Sequence, residues 1–327
     1  MRGKRAFVTG GGGFIGSHLV ERLVTEGAEV TALLHYNAER SIANLRHLPA
    51  PLAREPRLVF GDIGDAEFLA KAIEGSDLVF HLAALIAIPY SYRAPRSYLT
   101  TNAGGTLNLL EAARRGSVGR LIHVSTSEVY GSALTVPIDE SHPLQAQSPY
   151  AASKIAADKF VEAYHRAFGV PVVTVRPFNT YGPRQSTRAF IPTVITQALA
   201  GPTVKLGATA PVRDLTFVTD TVAGFLAAAG AEGIEGRTFN LGTGAGHGIG
   251  DVARTILTLM SSGAEIVLDA ERLRPDRSEV DRLISDNRAI CDATGWRPAI
   301  SLEEGLRQTI AFFRNQPASP APDSYAV

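Results

Sequence analysis

Tyr150 and Lys154 stand four residues apart in Tyr150-Ala-Ala-Ser-Lys154, so a helix would carry the phenol and the ammonium on one face. Ser148-Pro149 reads as the start of that helix, and Ala156, Phe160, Ala163, Tyr164 and Ala167 continue it. Upstream, Ser125-Thr126-Ser127-Glu128-Val129-Tyr130-Gly131 closes an apolar run over 120–125. Hydroxyls and a carboxylate thus fall at the C-terminal end of a strand, where ligands bind in open α/β sheets. Near the start of the chain, Gly10, Gly13 and Gly16 follow Ala6-Phe7-Val8 with the spacing G-x-x-G-x-x-G. The early glycines permit positive φ and a close approach of backbone to a pyrophosphate, and Gly16 lets the new helix pack on its strand. Phe14 and Ile15 open that helix, whose N–H groups attract phosphate oxygens, while Ile15, Leu19 and Leu23 bury its other face. The turn reads as a dinucleotide site. A Tyr-x-x-x-Lys pair alone reads as a surface pair; after such a turn and a Ser/Thr-bearing strand end it becomes a candidate for chemistry.

Several elements must position these groups. A second strand over 30–34 ends at His35-Tyr36-Asn37, without the carboxylate that a dinucleotide site usually places on the adenosine ribose. Nothing there repels a 2′-phosphate, and His35 or Arg40 could pair with one, so NAD versus NADP is open on these residues. A third strand over 58–61 ends at Asp62-Ile63, where Asp62 either accepts from an adenine amino group or caps the helix that follows from Asp65. A fourth buried run, 78–82, is followed by Ala83 and Ala84, small residues where a strand end must let the cofactor backbone approach. Leu82 belongs to the same strand end. The spacing of Leu99, Asn102, Thr106, Leu109, Leu110 and Ala113 predicts one long helix over 98–115, with Asn102 either a polar helix residue or a functional one. A strand over 172–175 gives way at Arg176-Pro-Phe-Asn-Thr-Tyr-Gly-Pro-Arg184 to shorter runs, and 238–241 reads as a late return to the sheet. The expected fold is α/β, a Rossmann doubly wound parallel sheet formed by 1–176 plus 218–245. A smaller C-terminal substrate lobe would comprise 177–217 plus 246–315, and 316–327 reads as a disordered tail.

Composition narrows the partners. The 327 residues are 45% hydrophobic, enough for a full core, and carry 32 Lys+Arg against 32 Asp+Glu. No global field recruits nucleic acid or an anionic membrane. The single cysteine, Cys291, excludes an intramolecular disulfide and any metal site built on cysteine pairs, and no metal is expected. With no apolar run long enough for a signal peptide or a span, the expected location is cytoplasmic.

The glycine turn, Asp62-Ile63, His81-Leu-Ala-Ala84, Asn102 with Gly105-Thr106, Thr126, Tyr150/Lys154 and Arg176-Pro-Phe-Asn179 occur in one order. Together they resemble the extended short-chain dehydrogenase/reductases over nearly everything up to about residue 315. The resemblance implies a retained nicotinamide cofactor and a nucleotide-sugar substrate. It implies that Tyr150 is the acid/base at a sugar hydroxyl, that Lys154 grips the nicotinamide ribose, and that Thr126 hydrogen-bonds the same sugar hydroxyl. A lysine charge beside a phenol favours the phenolate and draws its pKa below the usual value of about 10. Asn179, Arg213 and Arg274 match positions that bind the nucleotide diphosphate, although each arginine alone would be an ordinary solvated charge. The resemblance also implies a homodimer paired through helices at roughly 98–115 and 150–168.

Within that group, 4,6-dehydratases carry Thr-Asp-Glu where this chain has Thr126, Ser127 and Glu128. The base for the C5 proton is retained as Glu128, but the acid for the departing C6 hydroxyl has become a serine, which cannot replace a carboxylic acid unaided. The heptad Ser-Thr-Ser-Glu-Val-Tyr-Gly also resembles UDP-glucuronate decarboxylases, and 4-epimerases share the Tyr/Lys/Thr set. Leu85-Ile-Ala-Ile-Pro-Tyr-Ser-Tyr92, Val136-Pro-Ile-Asp-Glu140, Asn179-Thr-Tyr-Gly-Pro-Arg-Gln-Ser186 and Arg274-Pro-Asp-Arg-Ser-Glu-Val280 resemble the dehydratases of legionaminic acid biosynthesis, which act on GDP-linked N-acetylglucosamine. His35-Tyr36-Asn37 resembles that group too and leans the expectation to NAD, with NADP still open.

Overall fold

The computed structural model describes residues 1–116, 118–273, 275 and 278–316. Its strands are β1 (Arg5–Thr9), β2 (Glu29–His35), β3 (Arg57–Gly61), β4 (Leu78–His81), β5 (Arg120–Val124), β6 (Val172–Pro177), β7 (Asn179–Tyr181), β8 (Thr203–Leu206), β9 (Val212–Phe217), β10 (Thr238–Leu241), β11 (Gly246–Gly248), β12 (Glu265–Leu268) and β13 (Arg282–Leu283). The helices are α1 (Phe14–Thr25), α2 (Ala66–Ala72), α3 (Ile88–Arg93), α4 (Pro95–Tyr98), α5 (Gly105–Gly116), α6 (Pro149–Phe168), α7 (Phe190–Ala200), α8 (Val218–Gly230), α9 (Ile249–Met260), α10 (Arg288–Thr294) and α11 (Leu302–Arg314).

Seven strands form one parallel sheet in the order β10-β6-β5-β4-β1-β2-β3. Both faces are covered, so successive residues of a strand serve opposite cores. On β1, Ala6 and Val8 face α1 and α8 in a cluster with Leu19, Leu23, Phe80, Ile122 and Phe225, whereas Phe7 joins Leu69, Val79, Leu109, Leu121 and Val161 beneath α2, α5 and α6. This two-sided burial is why the strands read as continuous apolar runs. The chain order reverses between β1 and β4, which opens a crevice at their C-terminal ends.

A second core gathers Tyr181, Ile191, Val194, Leu206, Leu215, Phe217, Val252, Ile256, Leu306 and Ile310 from α7, α9, α11 and the strands between them. Phe14 and Ile15 of α1 pack against it, so the helix that opens the glycine turn also touches this second core. A small sheet of β11-β9-β13, with β7 paired to β9, lies with it.

The long helix read over 98–115 is interrupted. Leu99–Gly104 forms π-helical turns between α4 and α5. The apolar spacing is the same either way, so the sequence pattern cannot reveal the wider turn; such turns are frequent at functional sites.

Candidate functional site

The crevice begins at the glycine turn. Gly10 has a φ of 70°, and a Cβ there would lie 2.9 Å from the Ala83 nitrogen, so the turn after β1 and the strand end after β4 nearly touch. At Gly16 a Cβ would fall 2.1 Å from the Gly10 carbonyl oxygen, which leaves glycine as the only residue that lets α1 start here. The N-terminus of α1 has no side-chain cap and no acidic residue in its first turn. Its N–H groups and positive pole are therefore left for an anion, which fits the pyrophosphate of a dinucleotide.

Thr9 fastens the two strand ends. Its hydroxyl oxygen accepts from the Leu82 and Ala83 amides at 3.1 and 3.0 Å. Its own proton then goes to Nδ1 of buried His81, 2.9 Å away, and His81 Nε2 donates to Thr106 at 2.9 Å. Burial pushes the His81 pKa well down, which keeps the ring neutral and able to donate and accept at once. Thr106 passes the chain on to the Asn102 carbonyl at 2.5 Å.

Asn102, left by the sequence as a polar helix residue or a functional one, has its side chain bonded to protein. Its amide exchanges hydrogen bonds with the Leu85 backbone, at 2.8 and 2.9 Å, and donates to Ser153 at 2.9 Å. Ser153 in turn donates to the Tyr150 carbonyl at 2.7 Å. At 1% exposure Asn102 is a brace between the β4 strand end and α6.

At the far edge of the crevice, His35 and Asp62 lie at the ends of neighbouring β2 and β3 with His35 Nε2 3.4 Å from the Asp62 carboxylate. Asp62 also accepts from the Gly64 amide at 2.7 Å, while Asp65 caps α2 through the Phe68 amide, so Asp62 is not the cap of that helix. Ile63 is buried against Gly105, leaving the Asp62 side chain as the exposed polar group of the pair.

Tyr150 and Lys154 lie on α6, a helix capped by Ser148, whose oxygen accepts from the Ala151 amide at 3.1 Å, with Pro149 in the first turn and Gly169 in the left-handed conformation at its end. The strand end after β5 turns into a short 3-10 segment over Ser127–Tyr130, capped by Thr126, which accepts from the Glu128 amide at 3.2 Å. The Thr126 hydroxyl also bonds the Tyr150 phenol, and Glu128 is close enough for its charge to act on that phenol. The structure therefore brings Thr126, Glu128, Tyr150 and Lys154 to one place, with Ser127 buried in the same turn.

The electrostatics differ from the simple reading that Lys154 lowers the Tyr150 pKa. Burial pushes the phenol up, the Thr126 hydrogen bond opposes this, and Glu128 adds to the rise. The Lys154 ammonium donates to the Val124 carbonyl at 2.9 Å, and burial draws its pKa down to about 8 against the opposing charge of Asp158. Burial is the largest cause at both groups, raising the phenol and lowering the ammonium.

Asp158, one turn beyond Lys154, was missed in the sequence although its i,i+4 spacing is a readable signal. It is buried and accepts two bonds from the Arg176 guanidinium at 2.9 and 3.1 Å and one from His123 at 3.1 Å. Burial raises its pKa, but His123 and Arg176 overcome this and hold the carboxyl at about 2. Arg176 also donates to the Tyr130 hydroxyl at 2.9 Å and lies over that ring.

Of the three expected diphosphate ligands, Asn179 sits on β7 with a buried side-chain oxygen that has no partner among the described residues. Arg213 is buried on β9, where its guanidinium donates to Glu279 at 3.2 Å and to the Val212 carbonyl at 3.1 Å. Burial beside a carboxylate makes it a paired group rather than an ordinary solvated charge. Arg274 lies outside the described residues, as does the tail beyond residue 316.

A parallel sheet with its glycine turn at the switch point, and a Tyr-x-x-x-Lys helix facing a Thr-x-Glu strand end, is the architecture of an extended short-chain dehydrogenase/reductase. The chain belongs to the family described as GDP-mannose 4,6 dehydratase, whose pattern matches residues 7–309. It is 37% identical over 320 residues to the dTDP-glucose 4,6-dehydratase of Actinoplanes sp., covering 95% of this chain and 98% of that one. It is 35% identical over 319 residues to the UDP-glucose 4-epimerase of Mycolicibacterium smegmatis, covering 95% and 99%. Among solved structures, a double mutant of the dTDP-glucose 4,6-dehydratase DesIV from Streptomyces venezuelae, with NAD bound, superposes with a TM-score of 0.84 at 34% identity, covering 95% and 97%. The family thus spans nucleotide-sugar dehydratases and epimerases. No helix among the described residues is long and apolar enough to cross a membrane, and no group of His, Cys, Asp and Glu among them could hold a metal ion.

Proposed function

We propose that this enzyme is an NAD-dependent nucleotide-sugar 4,6-dehydratase acting on a nucleoside-diphosphate hexose or N-acetylhexosamine, with GDP-linked N-acetylglucosamine the favoured substrate. The observation that carries the reading is the carboxylate of Glu128, whose charge acts on the Tyr150 phenol that Thr126 hydrogen-bonds, and whose amide donates to Thr126. An oxidation and return at C4 needs only a Tyr/Thr pair; a carboxylate beside it supplies the base that elimination across C5 and C6 requires.

The glycine turn at Gly10, Gly13 and Gly16 would hold NAD, which would supply a hydride acceptor for C4 and a donor for C6, so that no external oxidant is consumed. Tyr150 takes the C4 hydroxyl proton, and Thr126 holds that oxygen in line. Burial and the charge of Glu128 oppose the phenolate and the Thr126 hydroxyl favours it; Lys154, one helical turn on, is assigned the nicotinamide ribose. The C4 ketone then acidifies the C5 proton, which Glu128 removes. Glu128 returns that proton to the departing C6 hydroxyl, which leaves as water with Ser127 buried in the same turn as a hydrogen-bonding helper, and C5 regains a proton from solvent as hydride reaches C6.

The lobe formed by 177–217 and 246–315 is read as the holder of the nucleotide diphosphate, with the unpartnered oxygen of Asn179 at its edge. A homodimer through α5 and α6 accompanies the reading, and Phe160 and Phe168 are exposed on α6. A 4-epimerase is the second reading. It is favoured by the 35% identity to an epimerase over nearly the whole of both chains and by serine at the position where the dehydratases have their acid. Glu128→Gln separates the two: a dehydratase variant reduces its cofactor on adding substrate yet releases no 4-keto-6-deoxy sugar. Normal product formation by that variant would remove Glu128 from the mechanism.

A further inference from the structure

Two irregular segments meet over the outer face of α1. One is the loop that follows β2, residues 36–48, which borders the end of the crevice assigned to the adenosine half of the dinucleotide. The other is the strap 182–189, which carries the chain from β7 into α7 and so belongs with the second core. The loop is tied to the glycine turn itself, since the Asn44 amide donates to the Gly12 carbonyl at 3.1 Å. A Cβ on Gly12 would meet that of Ala43 at 3.2 Å.

The strap is bolted onto this loop and onto α1 by four bonds. The Arg184 guanidinium reaches the Glu21 carboxylate at 2.5 Å and the His47 carbonyl at 3.1 Å. The Asn44 side chain donates to the Arg184 carbonyl at 3.1 Å, and His18 donates to the Pro183 carbonyl at 3.0 Å. The Arg184 side chain is 8% exposed, so its pair with Glu21 is largely withdrawn from water. Both segments pass through the left-handed region where they touch, with φ of 48° at Ala43 and 67° at Arg184. Non-glycine residues keep such a conformation when their surroundings over-determine it.

We propose that Arg184, paired with Glu21, is a clasp that retains the dinucleotide: it locks the substrate-lobe strap onto the loop beside the glycine turn, so that the cofactor leaves only when the strap is released. This rests on the proposed dinucleotide site. It also agrees with a reaction that ends with its cofactor regenerated, because no turnover then requires release. Removing Glu21 leaves the Arg184 guanidinium, 8% exposed, without its counter-charge, and removing Arg184 takes away its bonds to both Glu21 and the His47 carbonyl, so either change opens the strap.

The test measures exchange of bound dinucleotide in the purified full-length protein, loaded with isotopically labelled NAD and chased with unlabelled NAD. Glu21→Ala and Arg184→Ala should each exchange about ten- to hundredfold faster than wild type, as expected for loss of a charged hydrogen bond. Arg22→Ala serves as the control, since Arg22 is 59% exposed and pairs with Glu26 of its own helix rather than with the strap; its exchange should match wild type. Thermal unfolding well above the assay temperature shows that each variant is folded. Wild-type exchange rates in folded Glu21→Ala and Arg184→Ala would overturn the clasp while leaving the dinucleotide site standing. Equal acceleration in Arg22→Ala would overturn it by showing a general loosening of α1. A wild-type protein that takes up no NAD would refute the site and the clasp together.

Discussion

Replacing Asp158 by asparagine removes the charge from a buried carboxylate held between Arg176 and His123 and one helical turn from Lys154. Burial pushes the Asp158 carboxyl up, yet His123 and Arg176 bring it from an ordinary 3.8 to about 2. That gap alone corresponds to about 2 kcal/mol of stability. Arg176 would also stay buried against an uncharged amide, and breaking a buried pair from one side costs about 3–5 kcal/mol. Because asparagine keeps an oxygen that can still accept, the lower figure applies, about 3 kcal/mol, or a fall in Tm of roughly 4–5 °C for a chain of this size. The sign with pH follows from a depressed carboxyl: its contribution is complete above about 3.8 and is lost as pH falls toward 2. Denaturant unfolding of wild type and Asp158→Asn should therefore differ most at pH 7, and the difference should shrink between pH 4 and pH 2. The activity profile should respond as well. Asp158 opposes the burial that lowers Lys154 to about 8, so its removal moves the alkaline limb that reports loss of the lysine charge to lower pH. A difference below about 1 kcal/mol at pH 7, or one that persists unchanged to pH 2, would refute the buried-pair reasoning.

Other outcomes follow from the same geometry. Gly16→Ala should abolish dinucleotide binding in calorimetric titration and destabilise the fold, because its methyl would meet the Gly10 carbonyl oxygen at 2.1 Å. Asn102→Leu leaves the Leu85 backbone and Ser153 without their partner, so kcat should fall about ten- to a hundredfold through a displaced Tyr150 helix, with a smaller change in KM. Tyr150→Phe should stop the step that reduces the cofactor, seen as no change in absorbance at the reduced nicotinamide band on adding substrate.

Much of this arrangement is legible in the sequence where local pattern and tertiary role coincide. The runs Ala6-Phe7-Val8 and 78–82 are apolar because both faces of the sheet are covered, so they mark central strands directly. Gly10 and Gly16 are forced by contacts within a single strand-turn-helix unit, and Tyr150 with Lys154 needs only helical spacing. What escapes the sequence depends on distant partners. Asn102 reads as either a polar helix residue or a functional one, and its bonds to Leu85 and Ser153, 17 and 51 residues away, leave no local sign. Arg213 alone reads as a solvated charge until Glu279, 66 residues on, is seen to pair with it. The π-helical turns over Leu99–Gly104 leave the apolar spacing intact and therefore no trace in it. Arg184 offers no local sign that it meets Glu21 across 163 residues.

The most direct test of the dehydratase assignment is mass spectrometry of products after incubating the protein in heavy water with GDP-, UDP- and dTDP-hexoses, their N-acetyl forms and UDP-glucuronate. Loss of one water with deuterium at C5, foremost from GDP-linked N-acetylglucosamine, is the expected result and identifies the substrate. A product of unchanged mass and altered retention would contradict it in favour of an epimerase, and loss of carbon dioxide from the glucuronate in favour of a decarboxylase.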